Sequence, residues 1–277
     1  MKKILALILA ALMIATLTAC SDDKNENNND LKDYLQQEEI VNHETIDGKT
    51  FYFEQVDSES VTITGYAGGD AKHVLKIPAT LDKKTVVGIS EKAFKDCNSI
   101  TGIEFPATMT TIGRYAFANC ALISSLTIPA SITSIGESAF YGCTALATLD
   151  LSATTLTEIP TYAFGNCDAL TSVSIPACVE TVGQAAFYGC DALESVTFAE
   201  GVKTLKAQAF QNCTVLAQLK LAASIETIEG TYVFSGSNSL YLDGVDLTGC
   251  NEESAAYNYI HKVMQLTNAP AGAEEQA

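Results

Sequence analysis

The sequence predicts a repeat solenoid, mainly β with short helical or 3₁₀ turns, of about seven coils of 23–24 residues. The first observation is a phenylalanine that recurs at separations of 23, 23, 24, 23, 23 and 24 residues. This column consists of Phe94, Phe117, Phe140, Phe164, Phe187, Phe210 and Phe234. A cysteine follows each of the first six by three positions, and an aliphatic residue precedes each of the seven by five or six. Self-similarity at a fixed period of roughly 20–50 residues is typical of solenoids.

A unit of this length cannot bury its own apolar face, so stacked coils are expected to turn each apolar column into an internal ladder. Residues 170–176 are predicted to form a short strand that ends at Pro176, because proline has no N–H for a further ladder bond. Residues 184–190 are predicted to form one turn that buries Phe187. The pentapeptide AFYGC, at 139–143 and again at 186–190, recurs because the copies are two coils apart.

The repeated pattern is C-x-x-L-x-x-I-x-I-P-x-x-I-x-x-I-G-x-x-A-F, seen in CDALTSVSIPACVETVGQAAF at 167–187. It resembles the leucine-rich repeats of the BspA type over about residues 75–245, with the solenoid placed at 85–250. The departures are single-residue insertions before Phe164 and Phe234, and the loss of proline at Ser152, Ala199 and Ala222. These departures bear on the regularity of the curvature and not on the fold.

Residues 1–19 are interpreted as a lipoprotein signal peptide. Lys2 and Lys3 precede an apolar run at 4–17 that is short for a membrane span and typical of a secretory signal. The sequence LTAC at 17–20 resembles the lipobox of bacterial lipoproteins, which implies cleavage before Cys20 and acylation of that cysteine. Acyl chains would hold the protein stably on a membrane. The alternative is ordinary cleavage that leaves Cys20 unmodified.

Residues 20–46 are predicted to be an acidic flexible tether. Positions 21–46 carry eight acidic and two basic side chains and few large apolar ones, so they lack the apolar surface needed to fold. The acidic residues directly after Cys20 resemble the surface-export signal of Bacteroidetes lipoproteins, which implies attachment to the outer membrane with exposure at the cell surface. The alternative is that the segment is polar only because tethers are polar.

An N-terminal β cap is predicted at residues 47–84. The sequence FYFEQVDSESVTITGYAGG at 51–69 resembles the strands that commonly precede BspA-type arrays. The alternation at Val61 and Ile63 also supports a strand pair.

A helical cap is predicted at the other end, over residues 251–266, beginning at Asn251. Its expected apolar face consists of Tyr257, Ile260, Val263 and Met264. Residues 267–277 are predicted to be a disordered tail.

The cysteines allow two interpretations. The repeated set is Cys97, Cys120, Cys143, Cys167, Cys190 and Cys213, with Ser237 in the seventh place. Small buried thiols would fill such a column well, so a ladder of thiols is favoured. Disulfides between adjacent coils are the alternative, because neighbouring α-carbons would lie within bonding distance. A metal site is not predicted, since no C-x-x-C pair or nearby histidine supplies zinc geometry. Cys178 and Cys250 lie outside this ladder without an assigned role.

Composition excludes several classes of function. The chain has 16 Lys and Arg against 33 Asp and Glu, a formal charge of −17, which disfavours nucleic acid and anionic lipid headgroups as partners. Its three histidines are dispersed, and no nucleophile elbow, H-E-x-x-H motif or phosphate loop occurs. The sequence therefore predicts a non-enzymatic protein with no catalytic residues and no cofactor.

Two surfaces are candidates for binding. The strand face carries a small, polar row: Glu104, Thr127, Asp150, Ser174, Thr197 and Lys220. A tyrosine stripe is predicted beside the turns that hold the phenylalanines: Tyr115, Tyr141, Tyr162, Tyr188 and Tyr232. The alternative for the stripe is that the rings only pack over neighbouring coils.

Proteins of the BspA type are associated with adhesion to host matrix proteins and to other cells. The resemblance therefore implies a lipid-anchored, surface-exposed, non-enzymatic module that binds proteins, an adhesin that contacts the membrane through its lipid anchor only. A lipoprotein that captures glycans for nutrient uptake, and a structural envelope protein, are the alternatives.

Overall fold

The computed structural model describes residues 42–230 and 232–264. It shows a β-solenoid of about eight turns with almost no helix, which confirms the predicted fold class. The predicted signal peptide, the lipidation residue Cys20, most of the predicted tether and the predicted tail lie outside the described residues.

The N-terminal cap is a small sheet that begins earlier than predicted. The strands of this region are β1 (Asn42–Ile46), β2 (Lys49–Gln55), β3 (Ser60–Ala67), β4 (His73–Lys76), β5 (Thr80–Leu81) and β6 (Lys84–Ile89). All except β4 belong to the sheet of the cap. Asp47 and Gly48 join β1 to β2 with φ of 50° and 75°, as a two-residue hairpin turn of this type requires. Residues 42–46 therefore belong to the cap and not to the tether. They are polar because β1 is an edge strand with mostly exposed side chains.

Backbone pairing joins the cap directly to the coils. β3 pairs in parallel with β6, where Val61 lies opposite Val86 and Ile63 lies opposite Ile89. β4 pairs in parallel with the first strand of the next coil. The cap thus holds the first strand of each ladder, and the stacking of coils begins before the predicted boundary at residue 85.

Each later coil contributes one strand to each of two parallel ladders. The first ladder consists of β7 (Ile100–Glu104), β9 (Ser125–Thr127), β11 (Thr148–Asp150), β13 (Ser172–Ile175), β15 (Ser195–Phe198), β17 (Gln218–Lys220) and β19 (Val245–Asp246). Its backbone pairing is interrupted between β7 and β9 and between β11 and β13. The second consists of β8 (Thr111–Ile112), β10 (Ser134–Ile135), β12 (Glu158–Ile159), β14 (Thr181–Val182), β16 (Thr204–Leu205) and β18 (Thr227–Ile228). Val173 pairs with Val196, and Val182 pairs with Leu205, so the sequence period is also the pairing register.

The phenylalanine column forms the centre of the core. The seven rings are buried and stack in order, with centroids 4.9–5.6 Å apart and planes within 18° of parallel. Tyr66 of β3 covers the first ring at 5.1 Å, and Tyr259 covers the last at 5.9 Å. The Tyr66 hydroxyl lies 2.7 Å from Nε2 of His73, and the Tyr259 hydroxyl accepts the N–H of Val233 at 3.1 Å. A tyrosine with a bonded hydroxyl therefore closes each end of the stack.

The cysteine ladder runs beside these rings. The thiols of Cys120, Cys143, Cys167, Cys190 and Cys213 each donate a hydrogen bond to the carbonyl of the phenylalanine one coil earlier, at 3.0–3.6 Å. Burial raises the pKa of Cys143 and of Cys213 to about 12. It also raises the pKa of Cys167 and of Cys190 well above the usual range for a thiol. These side chains are neutral core residues and not nucleophiles, because the thiolate is the reactive form.

Neighbouring coils differ at the second position after the phenylalanine. Three asparagines alternate there with three glycines: Asn119, Gly142, Asn166, Gly189, Asn212 and Gly236. A Cβ on any of these glycines would lie 2.5–2.6 Å from Oδ1 of the preceding asparagine, closer than side chains approach. Each asparagine amide also donates to the coil before it, as Asn166 does to the Tyr141 hydroxyl at 2.7 Å. The glycine of AFYGC therefore occupies every second coil from Asn119 onward, whereas the first coil has Asp96 at this position, which accepts a hydrogen bond from Asn119 at 2.8 Å.

The C-terminal cap is shorter than the predicted helix. It consists of α1 (Ala255–Asn258), which continues into one π-helical turn at Tyr259–Val263. The N-cap is Ser254, whose hydroxyl accepts the N–H of Tyr257 at 3.2 Å. The predicted N-cap, Asn251, instead accepts the N–H of Glu253 in the preceding turn.

The later start changes which tyrosine of this cap is buried. Tyr259 and Ile260 enter the core, whereas Tyr257 lies against the ring of His261 at 4.2 Å. Within the described residues, no helix is both long enough and apolar enough to cross a membrane.

Candidate functional site

The strand face of the first ladder is polar and exposed. All six predicted residues of its central row are exposed: Glu104, Thr127, Asp150, Ser174, Thr197 and Lys220. Pairing sets Thr127 opposite Asp150, and it aligns Ser174, Thr197 and Lys220 in one continuous row. Lys220 ends the row in an ion pair with Asp246 at 3.7 Å. This row lacks the aromatic and arginine anchors that dominate tight protein interfaces.

The structure brings together three of the five predicted tyrosines. The rings of Tyr141 and Tyr162 lie 6.1 Å apart at 78°, and those of Tyr162 and Tyr188 lie 6.3 Å apart at 64°. We call Tyr141, Tyr162 and Tyr188 the tyrosine cluster. The other two stand apart from it: Tyr115 lies under the guanidinium of Arg114 at 4.8 Å, and Tyr232 is 60% exposed near the C-terminal end.

Amide groups fix the outer two rings of the cluster. Asn166 donates to the Tyr141 hydroxyl at 2.7 Å, and Asn212 donates to the Tyr188 hydroxyl at 3.0 Å. All three rings are half-buried against neighbouring coils. The cluster is therefore a rigid, partly exposed aromatic surface on the side of the molecule that carries the turns.

A groove of about 520 Å³ opens between β10 and β12. β10 ends one sheet and β12 begins another, whereas β12, β14, β16 and β18 form a continuous ladder. The polar side chains that line the groove are Thr133, Ser134, Glu137, Thr157, Glu158, Thr161 and Lys206. We call this site the split-ladder groove.

One extra residue and one proline open the split-ladder groove. Eight positions separate Leu151 from Ile159, where seven separate Ile128 from Ile135. At regular junctions, the N–H of Gly136 donates to Ile112 O and that of Gly183 donates to Ile159 O, both at 2.8 Å.

At the split junction, the equivalent residue is Pro160, which has no N–H to donate to the carbonyl of Ile135. The sequence analysis registered the extra residue before Phe164 but linked it only to curvature. The groove could have been predicted from the sequence, because the extra residue and Pro160 occur in the same coil.

Ion pairs border the split-ladder groove on two sides. Lys206 reaches back across an entire coil to Glu158, with Nζ to Oε1 at 3.0 Å. Glu137 binds the guanidinium of Arg114 at 3.2 Å. All four side chains are substantially exposed, so each pair stabilises the fold by only about 0–1 kcal/mol.

Metal binding finds no support in the part of the chain that the structure describes. No group of three or more His, Cys, Asp or Glu side chains is arranged there to hold a metal ion. Cys178 is exposed and donates to the Thr154 carbonyl at 3.3 Å, and Cys250 is half-buried in the last turn.

The two parallel ladders, the stacked phenylalanines and the period of 23–24 residues define the class of leucine-rich repeat solenoids. The family model described as the BspA type leucine rich repeat region matches residues 75–176 and 157–245, in six copies. The chain belongs to this family, which confirms the resemblance seen in the sequence. Among curated proteins, none matches the chain.

Several solved structures are similar to this one. A leucine-rich repeat protein of T. pallidum is 28% identical with a TM-score of 0.62, over 70% of this chain and 89% of that chain. A leucine rich cell surface protein of Faecalibacterium prausnitzii is 29% identical with a TM-score of 0.62, over 74% of this chain. A leucine-rich repeat protein of Eubacterium ventriosum is 31% identical with a TM-score of 0.54, over 59% of this chain. The chain spans 54% of the second protein and 42% of the third.

Proposed function

We propose that this protein is a lipid-anchored adhesin at the cell surface, which binds host matrix proteins or proteins of other cells. Leucine-rich repeat solenoids are used for binding through their extended surfaces more than for catalysis. The observation that carries the proposal is the tyrosine cluster, in which three aromatic rings contact one another in a row on the side of the turns. One similar solved protein, from Faecalibacterium prausnitzii, is described as a cell surface protein.

The geometry of the tyrosine cluster favours a protein over a glycan. Tyrosines that are already immobilised lose little conformational freedom on binding, and they are enriched among the residues that dominate protein interfaces. Asn166 and Asn212 provide this immobilisation for Tyr141 and Tyr188. Adjacent rings are steeply inclined, at 78° and 64°, so they do not form one flat platform for stacking a chain of sugars.

The anchor and the surface location are tested on whole cells. A Cys20→Ala variant is expected to lose labelled palmitate and to leave the membrane fraction. Protease added to intact cells is expected to degrade the wild-type protein but not a periplasmic marker. Retention of the label by the variant contradicts the anchor, and protection from protease on intact cells contradicts surface exposure.

Ligand binding is tested with the chain from residue 21 onward on an array of matrix proteins and purified glycans. The proposal expects saturable binding to a protein, weakened at least tenfold by Tyr141→Ser with Tyr188→Ser. Ser174→Ala with Thr197→Ala on the strand face is the matched control and is expected to bind as the wild type does. Equal binding by the tyrosine variant contradicts the assigned surface, and binding to glycans alone supports the glycan-capture alternative.

A further inference from the structure

The split-ladder groove exposes hydrogen-bond acceptors at a position where, in the other coils, the second strands pair through backbone hydrogen bonds. The carbonyl of Ile135 has no N–H opposite it in Pro160. Oxygens of Glu137, Glu158 and several threonines line the same space. Lys206 is the one cationic side chain among the lining residues. Each carboxylate is already held by a basic side chain in an exposed ion pair, Glu158 by Lys206 and Glu137 by Arg114. A ligand that matches this groove must therefore supply hydrogen-bond donors and a cation that can replace one of these two.

We infer that the split-ladder groove receives an arginine or lysine side chain from an extended segment of a partner protein. A guanidinium carries five N–H donors in a fixed fork and no acceptor, which complements carboxylates and an open carbonyl. The formal charge of −17 on the chain attracts such a segment before contact. The inference takes its class of partner from the proposed protein binding but does not rest on the tyrosine cluster.

Lys206 already shows the recognition that the groove performs. Its ammonium comes from two coils away and binds Glu158 at 3.0 Å at the groove. The pair is exposed, so an incoming cation can replace Lys206 at little cost. Lys206 therefore acts as a competitor within the chain, and its removal leaves Glu158 open to the partner.

The test uses NMR titration of the full folded chain from residue 21 onward with matched peptides. The probes are extended heptapeptides of alternating threonine and valine, with arginine, lysine, citrulline or glutamate at the centre. Citrulline keeps the shape of arginine and removes its charge. The expected result is at least tenfold tighter binding of the arginine peptide than of the citrulline peptide, or about 1.4 kcal/mol. The amide shifts are expected at residues 133–137 and 157–161.

Three variants separate the groove from a general charge effect. Glu158→Gln is expected to weaken binding of the arginine peptide by about tenfold, whereas Lys206→Met is expected to tighten it by several-fold. Glu180→Gln is the matched control, because Glu180 forms a similar ion pair with Lys203 at 3.1 Å beside an intact ladder. It is expected to leave the affinity unchanged. Since Lys206→Met predicts a gain, loss of folding cannot imitate that result.

The outcomes also distinguish this inference from the proposed function. Equal affinity for the arginine and citrulline peptides, or equal effects of Glu158→Gln and Glu180→Gln, would overturn the inference. Shifts confined to Tyr141, Tyr162 and Tyr188 would overturn it as well, while leaving protein binding in place. If the array detects a protein ligand but none of the peptides shifts the groove, the adhesin proposal stands and the groove inference fails.

Discussion

Two junctions between neighbouring coils differ in how their second strands meet. Between β14 and β16 the ladder is closed, since Val182 pairs with Leu205 and the N–H of Lys206 donates to Val182 O at 2.9 Å. Between β10 and β12 the ladder is open, although the coils on either side are otherwise alike. The difference comes from one additional residue and from Pro160 in a position that glycine holds at Gly136 and Gly183.

The phenylalanine rings in the core beside the split junction keep their usual spacing. The rings of Phe140 and Phe164 remain 5.6 Å apart at 5°, close to the 5.1 Å and 6° between Phe187 and Phe210. Thr154 makes the turn contact that Ile132 makes one coil earlier, and Leu156 fills the core beside it. The insertion therefore leaves the stack of phenylalanines intact, although the first strand of the same coil, β11, does not pair with β13.

The largest expected effect comes from disrupting the stack of phenylalanine rings, which is the same at both junctions. Phe140→Ala would open a cavity between stacked rings and is expected to lower the free energy of unfolding by about 3–5 kcal/mol. Urea unfolding followed by circular dichroism measures the loss. Phe140→Leu is the control and is expected to cost less, because leucine fills more of the space. Equal losses for both variants would contradict the importance of the stacked ring.

A proline placed at another closed junction, that between β12 and β14, is expected to convert it into an open one. Gly183→Pro removes the donor to Ile159 O and adds side-chain atoms where a Cβ would lie 2.6 Å from that oxygen. Leaving a buried acceptor unpaired costs about 1–3 kcal/mol, and the overlap adds to this. Hydrogen exchange at Thr181 and Val182 should accelerate relative to that at Val173 on the intact ladder. Unchanged exchange at these sites would show that the missing donor does not open the junction.

The buried thiols make the free energy of unfolding depend on pH, and they do so on both sides of the split junction. Burial raises the folded pKa of Cys143 and Cys213 to about 12, above the value of a thiol in the unfolded chain. The folded state therefore binds more protons above about pH 9, and stability is lost as the pH rises toward 12. Each such thiol is expected to contribute about 1.4 kcal/mol of loss per pH unit.

Urea unfolding at several alkaline pH values measures the slope. Cys143 belongs to the coil beside the split junction. Cys143→Ala is expected to reduce the slope of the unfolding free energy against pH by the contribution of one thiol. Cys178→Ala is the control, because Cys178 is exposed and its removal should not change the slope. A slope that both variants reduce equally would exclude burial as its cause.

The smallest effect is expected at the border of the groove. Lys206→Met removes the ion pair with Glu158 and is expected to change stability by less than about 1 kcal/mol, because both side chains are exposed. Thermal unfolding at low and high salt measures the change. Lys203→Met, which removes the pair with Glu180, is the control with a comparable pair at a closed junction. A loss well beyond that of Lys203→Met would mean that Lys206 holds the two coils together.

The periodic part of the fold follows from the sequence, because each ladder position is a side chain that must be buried or exposed in every coil. Phe187 and Val182 could be placed from spacing alone. The ends could not, because a cap obeys no period. β1 contains mostly polar residues and depends on the Asp47-Gly48 turn for its pairing, and Ser254 competes with Asn251 for the start of the last helix.

The candidate site was predictable only in part. The tyrosines stood out by type, but only contact geometry separates Tyr141, Tyr162 and Tyr188 from Tyr115 and Tyr232. The groove depends on a missing hydrogen bond, and a single residue such as Pro160 has that consequence only where its neighbour is a strand. The position of Pro160 between two neighbouring strands, which the sequence does not state directly, is what makes this proline leave a junction open.

The alternation of asparagine and glycine limits how such a chain can change its length in evolution. Loss of two adjacent coils keeps the order, because Gly142 would then be followed by Asn212. Loss of a single coil would set Asn212 where Gly189 now stands, so the Asn166 amide would have to move from a position 2.5 Å from the new Cβ. Asp96 followed by Asn119 shows that two such side chains can occupy adjacent coils. In the alternating part of the array, changes of two coils, such as the 47 residues between the two copies of AFYGC, are therefore expected to be tolerated more readily than changes of one coil.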